Sequence, residues 1–366
     1  MTSIPFSEFM AHALYDPARG YYSQVPKIGK KGDFFTSVSV GSSFGQILAY
    51  QVLEVWSSLG YPEPFHLIEQ GAHEGRLLVD ILEELKLLQF DCYQAIEMVC
   101  IEPLESLRLL QREKREGLKI PFRFFSDWSE VPQESLTGFF YSNELVDSFP
   151  VDLVTYQEGQ WHEKRVICGE NFTDNRWDLR QIKESDSLFP WLSSIPEIEG
   201  YTTEIQRTGE RWLKSVLRGF KTGVVLIVDY GYPESVYYSR ERTAGTLQMY
   251  QNHQKRVDPL LHVGEQDITA HVNFTELYRK GLGEGAQFLG YTDQGRYLTG
   301  IGERWLCEIA ETHPADSVVF QKKIREFKTL THPEMMGNQF KVLGLIKGSL
   351  EEKNWKGFRF GSTIPL

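Results

Sequence analysis

The stretch HLIEQGAHEGRLLVDIL, residues 66–82, decides the fold. A short apolar run leads into two glycines four apart, Gly71 and Gly75, and then into apolar residues at helical spacing. The reading is strand, tight loop, helix. In that arrangement glycine lets the backbone approach a ligand, and the amides at the helix start face it. His73 stands in mid-loop, where a further glycine is more usual.

Working outward, strand patterns are predicted at 65–69, 98–102, 122–125, 138–143 and 224–229, with helical patterns at 76–88 and 104–116 between the early ones. Alternating strands and helices predict an α/β fold, a parallel sheet covered on both faces. Ligands of such sheets bind beyond the carboxyl ends of the strands. Before this region lie a short helix at 5–14 and a helix at 42–59 closed by Gly60. After it come a hairpin at 151–167 with Glu158-Gly159 at the turn, a helix at 204–217, and strands at 287–292 and 340–346. Residues 230–272 form a long polar stretch with little periodicity; such stretches in compact enzymes carry function or are disordered. The expected organisation is an N-terminal helical cap over 1–60 that contributes to the site. One large domain over 61–366 follows, with insertions near 151–200, 231–272 and 293–336.

Composition narrows the function. A chain of 366 residues is long enough for a large core, and its net charge of −11 argues against nucleic acid as the main partner. It suits a basic protein or a small molecule better. No apolar run approaches membrane-spanning length, and no leader pattern is visible. Cys92, Cys100, Cys168 and Cys307 are scattered without CxxC spacing, as expected for free thiols in a reducing cytoplasm. No HExxH or CxxC is present, so no metal is expected.

Each predicted strand ends in a polar group. Glu69 and the glycine loop follow the first, Glu102 ends the second, and Asp127-Trp128 follows the third. Asn143-Glu144 ends the fourth and Asp229-Tyr230-Gly231 the fifth. A carboxylate after the second strand can accept both ribose hydroxyls. An acid beside an aromatic can read an adenine amino group and stack on its ring. Gly71 and Glu102 are 102 − 71 = 31 residues apart. A dinucleotide fingerprint needs roughly 20. The glycines also do not complete GxGxxG, so a nucleoside without phosphates, such as S-adenosylmethionine, fits better. Taken singly, Glu69 or Glu102 reads more readily as a strand-end surface acid, and Asp127 as a turn cap.

Longer motifs resemble one family, the MidA-type class I S-adenosylmethionine-dependent methyltransferases, which include a mitochondrial complex I assembly arginine methyltransferase. The motifs are GYYS (20–23), GDFFTS (32–37), NELVDSFPVD (143–152), DYGY (229–232), GTLQMY (245–250), DPL (258–260), GEQDITAHVNF (264–274), QGRYLTGIG (294–302) and MGNQFKVLGLIKG (336–348). The resemblance spans nearly the whole chain. It implies a seven-stranded Rossmann-like sheet whose last strand is antiparallel, S-adenosylmethionine as cofactor, and methylation of arginine on a protein partner, a respiratory-complex or other assembly component. It also implies that Gly32, Asp33, Thr36 and Ser37 line the site beside the methyl group. Gly71, Glu102 and Asp127 would hold the cofactor, and Asn143 and Glu144 would face the transferred methyl.

The chain departs from that family's pattern at EQGAHEG (69–75), where ELGPGRG is typical: Ala72 replaces proline, His73 glycine and Glu74 a basic residue. Val38 and Ser39 stand where the family has Pro-Glu. A guanidinium stays protonated, so a paired carboxylate must orient it. Glu144 is the first candidate and Asp147 the second; Asp147 reads equally as a cap of the turn before Pro150. His262 and His271 could serve as bases, and satisfying loop backbone is the plainer reading. Two other functions stay open: a weakly active or inactive binding and assembly factor on this fold, and a small-molecule methyltransferase.

Overall fold

A computed structural model describes residues 3–23, 36–115, 117–251, 254–350 and 354–366. Seven strands span its central sheet: β1 (Phe65–Gln70), β2 (Ile96–Ile101), β3 (Phe122–Phe125), β4 (Leu136–Asn143), β5 (Phe220–Tyr232), β6 (Gln287–Asp293) and β7 (Phe340–Lys347). Their spatial order is 3-2-1-4-5-7-6. The five from β3 to β5 run parallel, and β7 runs antiparallel to both its neighbours. A two-residue strand, Val272–Asn273, adds to the end of β5. This is the sheet the resemblance implied, last strand included.

Burial on both faces explains why these strands read as near-continuous apolar runs. In β5, Val224, Leu226 and Val228 enter one core while Val225 and Ile227 enter the other. The first core also takes Ile47, Leu48 and Val55 from helix α2 (Ser43–Ser58) and Leu78, Ile81 and Leu82 from α3 (Arg76–Leu88). The second takes Trp212, Leu213 and Val216 from the helix at Arg207–Gly219.

The sheet order reverses between β1 and β4. The chain leaves β1 towards β2 and later returns on the other side as β4, so a crevice opens at their carboxyl ends. Two smaller sheets are built from inserted segments, and the second of them lines this crevice through Gln248, Tyr250, Asp267 and Thr269. One joins Asp152–Gln157, Gln160–Ile167, Arg176–Gln181 and Thr202–Ile205 to the N-terminal strand Ser3–Pro5. Its hairpin turns at Glu158 and Gly159, both with positive φ, as a two-residue turn requires. The other sheet is Gln248–Gln251, Gln254–Arg256 and Asp267–Thr269.

Three expectations change. The described residues of 1–60 do not form one cap: helix α1 (Phe6–Tyr15) packs on the inserted sheets through Phe6, Phe9 and Met10, whereas α2 belongs to the main core. The helix expected at 204–217 starts at Arg207, because Thr202–Ile205 is a strand pairing with Asp152–Thr155. The stretch 230–272 is built rather than formless. Its strands are three or four residues long, too short to show a period in sequence.

Candidate active site

The crevice holds a cavity of about 1370 Å³. Of the residues singled out from sequence, Thr36, Glu69, Gly71, Glu102, Asn143, Glu144 and Asp147 line it. Ser37 and Gly75 are not part of its lining but brace it. Asp127 and Trp128 stand apart from it. Gly32 and Asp33 lie outside the described residues.

On one side the glycine loop closes the end of β1. Gly71 (φ 75°) and Gly75 (φ 74°) both take left-handed backbone. A Cβ on Gly71 would come within 3.0 Å of Leu145, and one on Gly75 within 3.0 Å of the Arg115 guanidinium. His73 takes the same region (φ 45°) with its Cβ in place. For an L-residue that costs roughly 1 kcal/mol. The Gln111 amide donates to its carbonyl at 2.9 Å and helps hold it there. Its imidazole lines the cavity without closing it, and burial pushes its pKa down, so it is neutral near pH 7. Glu102 is buried at the end of β2, where its carboxylate accepts from the Leu104 amide at 2.9 Å; burial raises its pKa to about 7. Glu69 is buried beside it and raised to about 7 for the same reason, against the pull of Arg115.

The third strand end is used differently. Asp127 is exposed and accepts from the Ser129 amide at 2.8 Å, the turn-cap reading. Trp128 is buried and donates its indole N–H to Gln70 Oε1 at 2.7 Å; Trp212 donates to the same oxygen, also at 2.7 Å. A buried indole N–H needs such an acceptor, and meeting that need turns the ring into the core beneath the loop.

The other side is acidic. Glu144 follows β4 with φ 52°. Its Oε1 accepts from the Ser37 amide at 3.1 Å and from Asn143 Nδ2 at 3.0 Å. Asn143 Oδ1 is buried without a hydrogen-bond partner. Thr36 caps the short helix Ser37–Val40, which presents that Ser37 amide, and Val38 and Ser39 line the cavity, Ser39 at the position where the family pattern has a carboxylate. Burial raises the Glu144 pKa to about 8, with Asp229 adding to it. Asp147 is driven well above the carboxylate range by burial and by Asp229, Glu144 and Asp267.

Tyr230, placed at a strand end from sequence, and His271, weighed there as a base, also line this side, together with Tyr15, Tyr22, Tyr250 and Asp267, which were not singled out. Tyr22 donates to both Asp267 oxygens, at 2.9 and 3.1 Å, and stacks on Tyr15 with ring centres 5.5 Å apart. The Tyr15 hydroxyl donates to the Ser148 carbonyl at 2.9 Å. His271 is pushed down to about pKa 4 by burial and by Arg242 and Lys255, so it is a weak base at neutral pH. Most of these residues sit in the quoted motifs, but nothing local marks one tyrosine in GYYS as lining and its neighbour Tyr21 as core.

The arrangement can hold an adenosine-like group on the side of Gly71 and Glu102: the left-handed glycine leaves a cradle a Cβ would narrow, and the buried carboxylate can accept hydroxyl donors. The opposite side offers carboxylates and aromatic faces to a cationic group. Among the described residues, no cluster of three or more His, Cys, Asp or Glu could hold a metal ion.

Known proteins share this architecture. A family model described as "Putative S-adenosyl-L-methionine-dependent methyltransferase" matches residues 47–292. A crystal structure of a Burkholderia thailandensis protein bound to S-adenosyl-homocysteine superposes with a TM-score of 0.86 at 31% identity, covering 99% of this chain and 92% of that one. Among curated relatives, the Drosophila melanogaster "Protein arginine methyltransferase NDUFAF7 homolog, mitochondrial" is 27% identical over 95% of this chain and 82% of its own length. The Homo sapiens "Protein arginine methyltransferase NDUFAF7, mitochondrial" is 25% identical over 94% and 80%. With the family model covering most of the chain and the cradle in place at its core, the chain belongs to the S-adenosyl-L-methionine-dependent methyltransferases.

Proposed function

We propose that this enzyme transfers the methyl group of S-adenosylmethionine to an arginine side chain of a protein partner. One observation carries the acceptor. Glu144 and Asp147 share one end of the cavity with Tyr15, Tyr22, Tyr230 and Tyr250. Burial disfavours ionising these two carboxyls so close together; a planar cation stabilises both and can take them by paired hydrogen bonds. The names of the NDUFAF7 relatives support the same acceptor.

The cofactor supplies an activated methyl electrophile. The chain does the rest. Glu102 accepts the ribose hydroxyls, and the Gly71 backbone allows close approach. Glu144, fixed by Ser37 and Asn143, orients the guanidinium, stabilises its charge and takes up the proton that the acceptor nitrogen gives up as it gains the methyl group. Asp147 is the second acidic contact. Asn143 Oδ1, buried and unpartnered, is left to accept a donor from ligand or acceptor. The tyrosine walls exclude water.

The partner we favour is a respiratory-complex or other assembly component, in line with the family resemblance. The compartment we favour is a reducing one such as the cytoplasm, which the four free thiols fit. The relatives carry "mitochondrial" in their names. A second reading, an assembly factor without transfer, draws on the strained His73 and on Ser39 in the cavity wall, where the family pattern has glutamate. Incubating the protein with methyl-labelled S-adenosylmethionine and a protein extract separates the two. Methylarginine that disappears with Glu144→Gln is expected. Label found only on lysine, only on small molecules, or nowhere overturns the proposal.

A further inference from the structure

Asp229, at the carboxyl end of β5, is fully buried and not part of the cavity lining. Its Oδ2 accepts three consecutive backbone amides, from Leu145 (3.1 Å), Val146 (2.8 Å) and Asp147 (3.2 Å). Its Oδ1 accepts from the Tyr230 amide at 2.8 Å. The chain after β4 thus wraps around one carboxylate, as backbone amides wrap a bound anion. The first residue of that wrap is Glu144, whose backbone is left-handed and whose own amide donates to Val228 O at 3.0 Å. An L-residue keeps such backbone only when its surroundings over-determine it.

We propose that Asp229 is the positioning residue of the acceptor end: it holds the turn that aims Glu144 and Asp147 into the cavity. The inference rests on the reading of those two residues given above. Other bonds assist the turn: the Ser148 hydroxyl donates to the Leu145 carbonyl at 2.8 Å, the Phe149 amide to the Val146 carbonyl at 3.1 Å and the Ala270 amide to the Asp147 carbonyl at 2.8 Å, whereas Asp229 gathers three consecutive amides on one oxygen. The negative charge is set against like charges. Glu144 and Asp147 approach from the turn, Tyr230 follows in the chain, and Asp267 bears on Asp147 from the inserted sheet. Lys341, opposite Asp229 on β7, directs its ammonium to Asp293 and to the Asn338 carbonyl. The carboxylate is therefore balanced by amide dipoles, and it passes its charge on to Glu144 and Asp147.

Asp229→Asn tests this, because an asparagine cannot offer the same acceptor face to all four amides while it removes the charge. The expected result is a kcat about 100-fold lower, with S-adenosyl-homocysteine affinity within about threefold of the wild type. The rising limb of kcat/KM should also move to lower pH, since Glu144 loses the neighbour that raises it. A structural role alone would not move that limb. A kcat within about threefold of wild type with an unmoved limb, or loss of S-adenosyl-homocysteine binding in step with kcat, overturns the proposal.

If the variant does not fold, hydrogen exchange on the wild-type protein decides. The amides of Leu145, Val146 and Asp147 should be strongly protected and should gain protection as pH falls from 8 to 5.5, because burial raises Asp229 to about 7 and its protonation then favours the closed turn. Flat or absent protection overturns it. This measurement needs no acceptor, so a failure of the arginine reading, seen as no methylarginine from wild type, is distinguishable from a failure of Asp229.

Discussion

The two ends of the cavity are built in opposite ways. At the cofactor end, Glu69, Gly71 and Gly75 fall within one strand-loop-helix unit, and Glu102 ends the next strand. At the acceptor end, Glu144 follows β4, Asp267 sits in an inserted sheet and Tyr15 ends α1. The first end is short-range and tolerates a blemish: the loop forms although His73 replaces a glycine. The second is long-range and depends on buried charge. The turn that carries two of its carboxylates hangs on Asp229. Affinity for the cofactor and competence in transfer should therefore fail separately.

The sharpest break is Glu144→Gln. It removes the carboxylate that orients the acceptor but keeps the size and hydrogen-bonding reach. We expect kcat to fall about 1000-fold with S-adenosyl-homocysteine binding nearly unchanged, read by steady-state kinetics and calorimetry. Equal losses in both would merge the two ends into one. Glu102→Ala should do the reverse. Losing a carboxylate that accepts hydroxyl donors should weaken S-adenosyl-homocysteine by about 30-fold, while kcat at saturating S-adenosylmethionine stays near wild type. Asp267→Asn acts at the rim of the acceptor end. A rise of about tenfold in KM for the protein substrate, with kcat kept within a small factor, would place it in acceptor binding.

pH offers a comparison without mutation. Glu69 and Glu102 are raised in the folded protein from about 4.5 to about 7, and Glu144 to about 8, all chiefly by burial. The folded state then holds more protons than the unfolded one between pH 4.5 and 8. Stability from these groups is greatest below that window and is lost as pH rises through it. Thermal melts of the ligand-free protein should show Tm falling from pH 5 to pH 8. Transfer has the opposite sign, because Glu144 must ionise to pair with a guanidinium: kcat/KM should climb towards pH 8. The smallest expected effect is His73→Gly. Relief of left-handed strain and the greater freedom of glycine in the unfolded chain oppose each other, so stability should change by less than about 1 kcal/mol in a denaturation curve. A large loss of cofactor affinity would instead mark the imidazole as a ligand contact.

The sequence by itself determined the sheet and the cofactor end. Strand-loop-helix units announce themselves through contiguous periodicity, and a residue at a strand's carboxyl end is carried to the rim by the backbone alone. That logic located Glu69, Gly71, Glu102 and Glu144. It misplaced Asp127 and Trp128, because a neighbouring amide and the Gln70 carbonyl claim them first. It could not separate lining from packing among the tyrosines, and it had no means of seeing Asp229 as the anchor of a turn some 80 residues earlier in the chain. Only the tertiary structure decided those. Burial, shared amides and like charges brought together from distant segments arise from packing, and no local pattern encodes them.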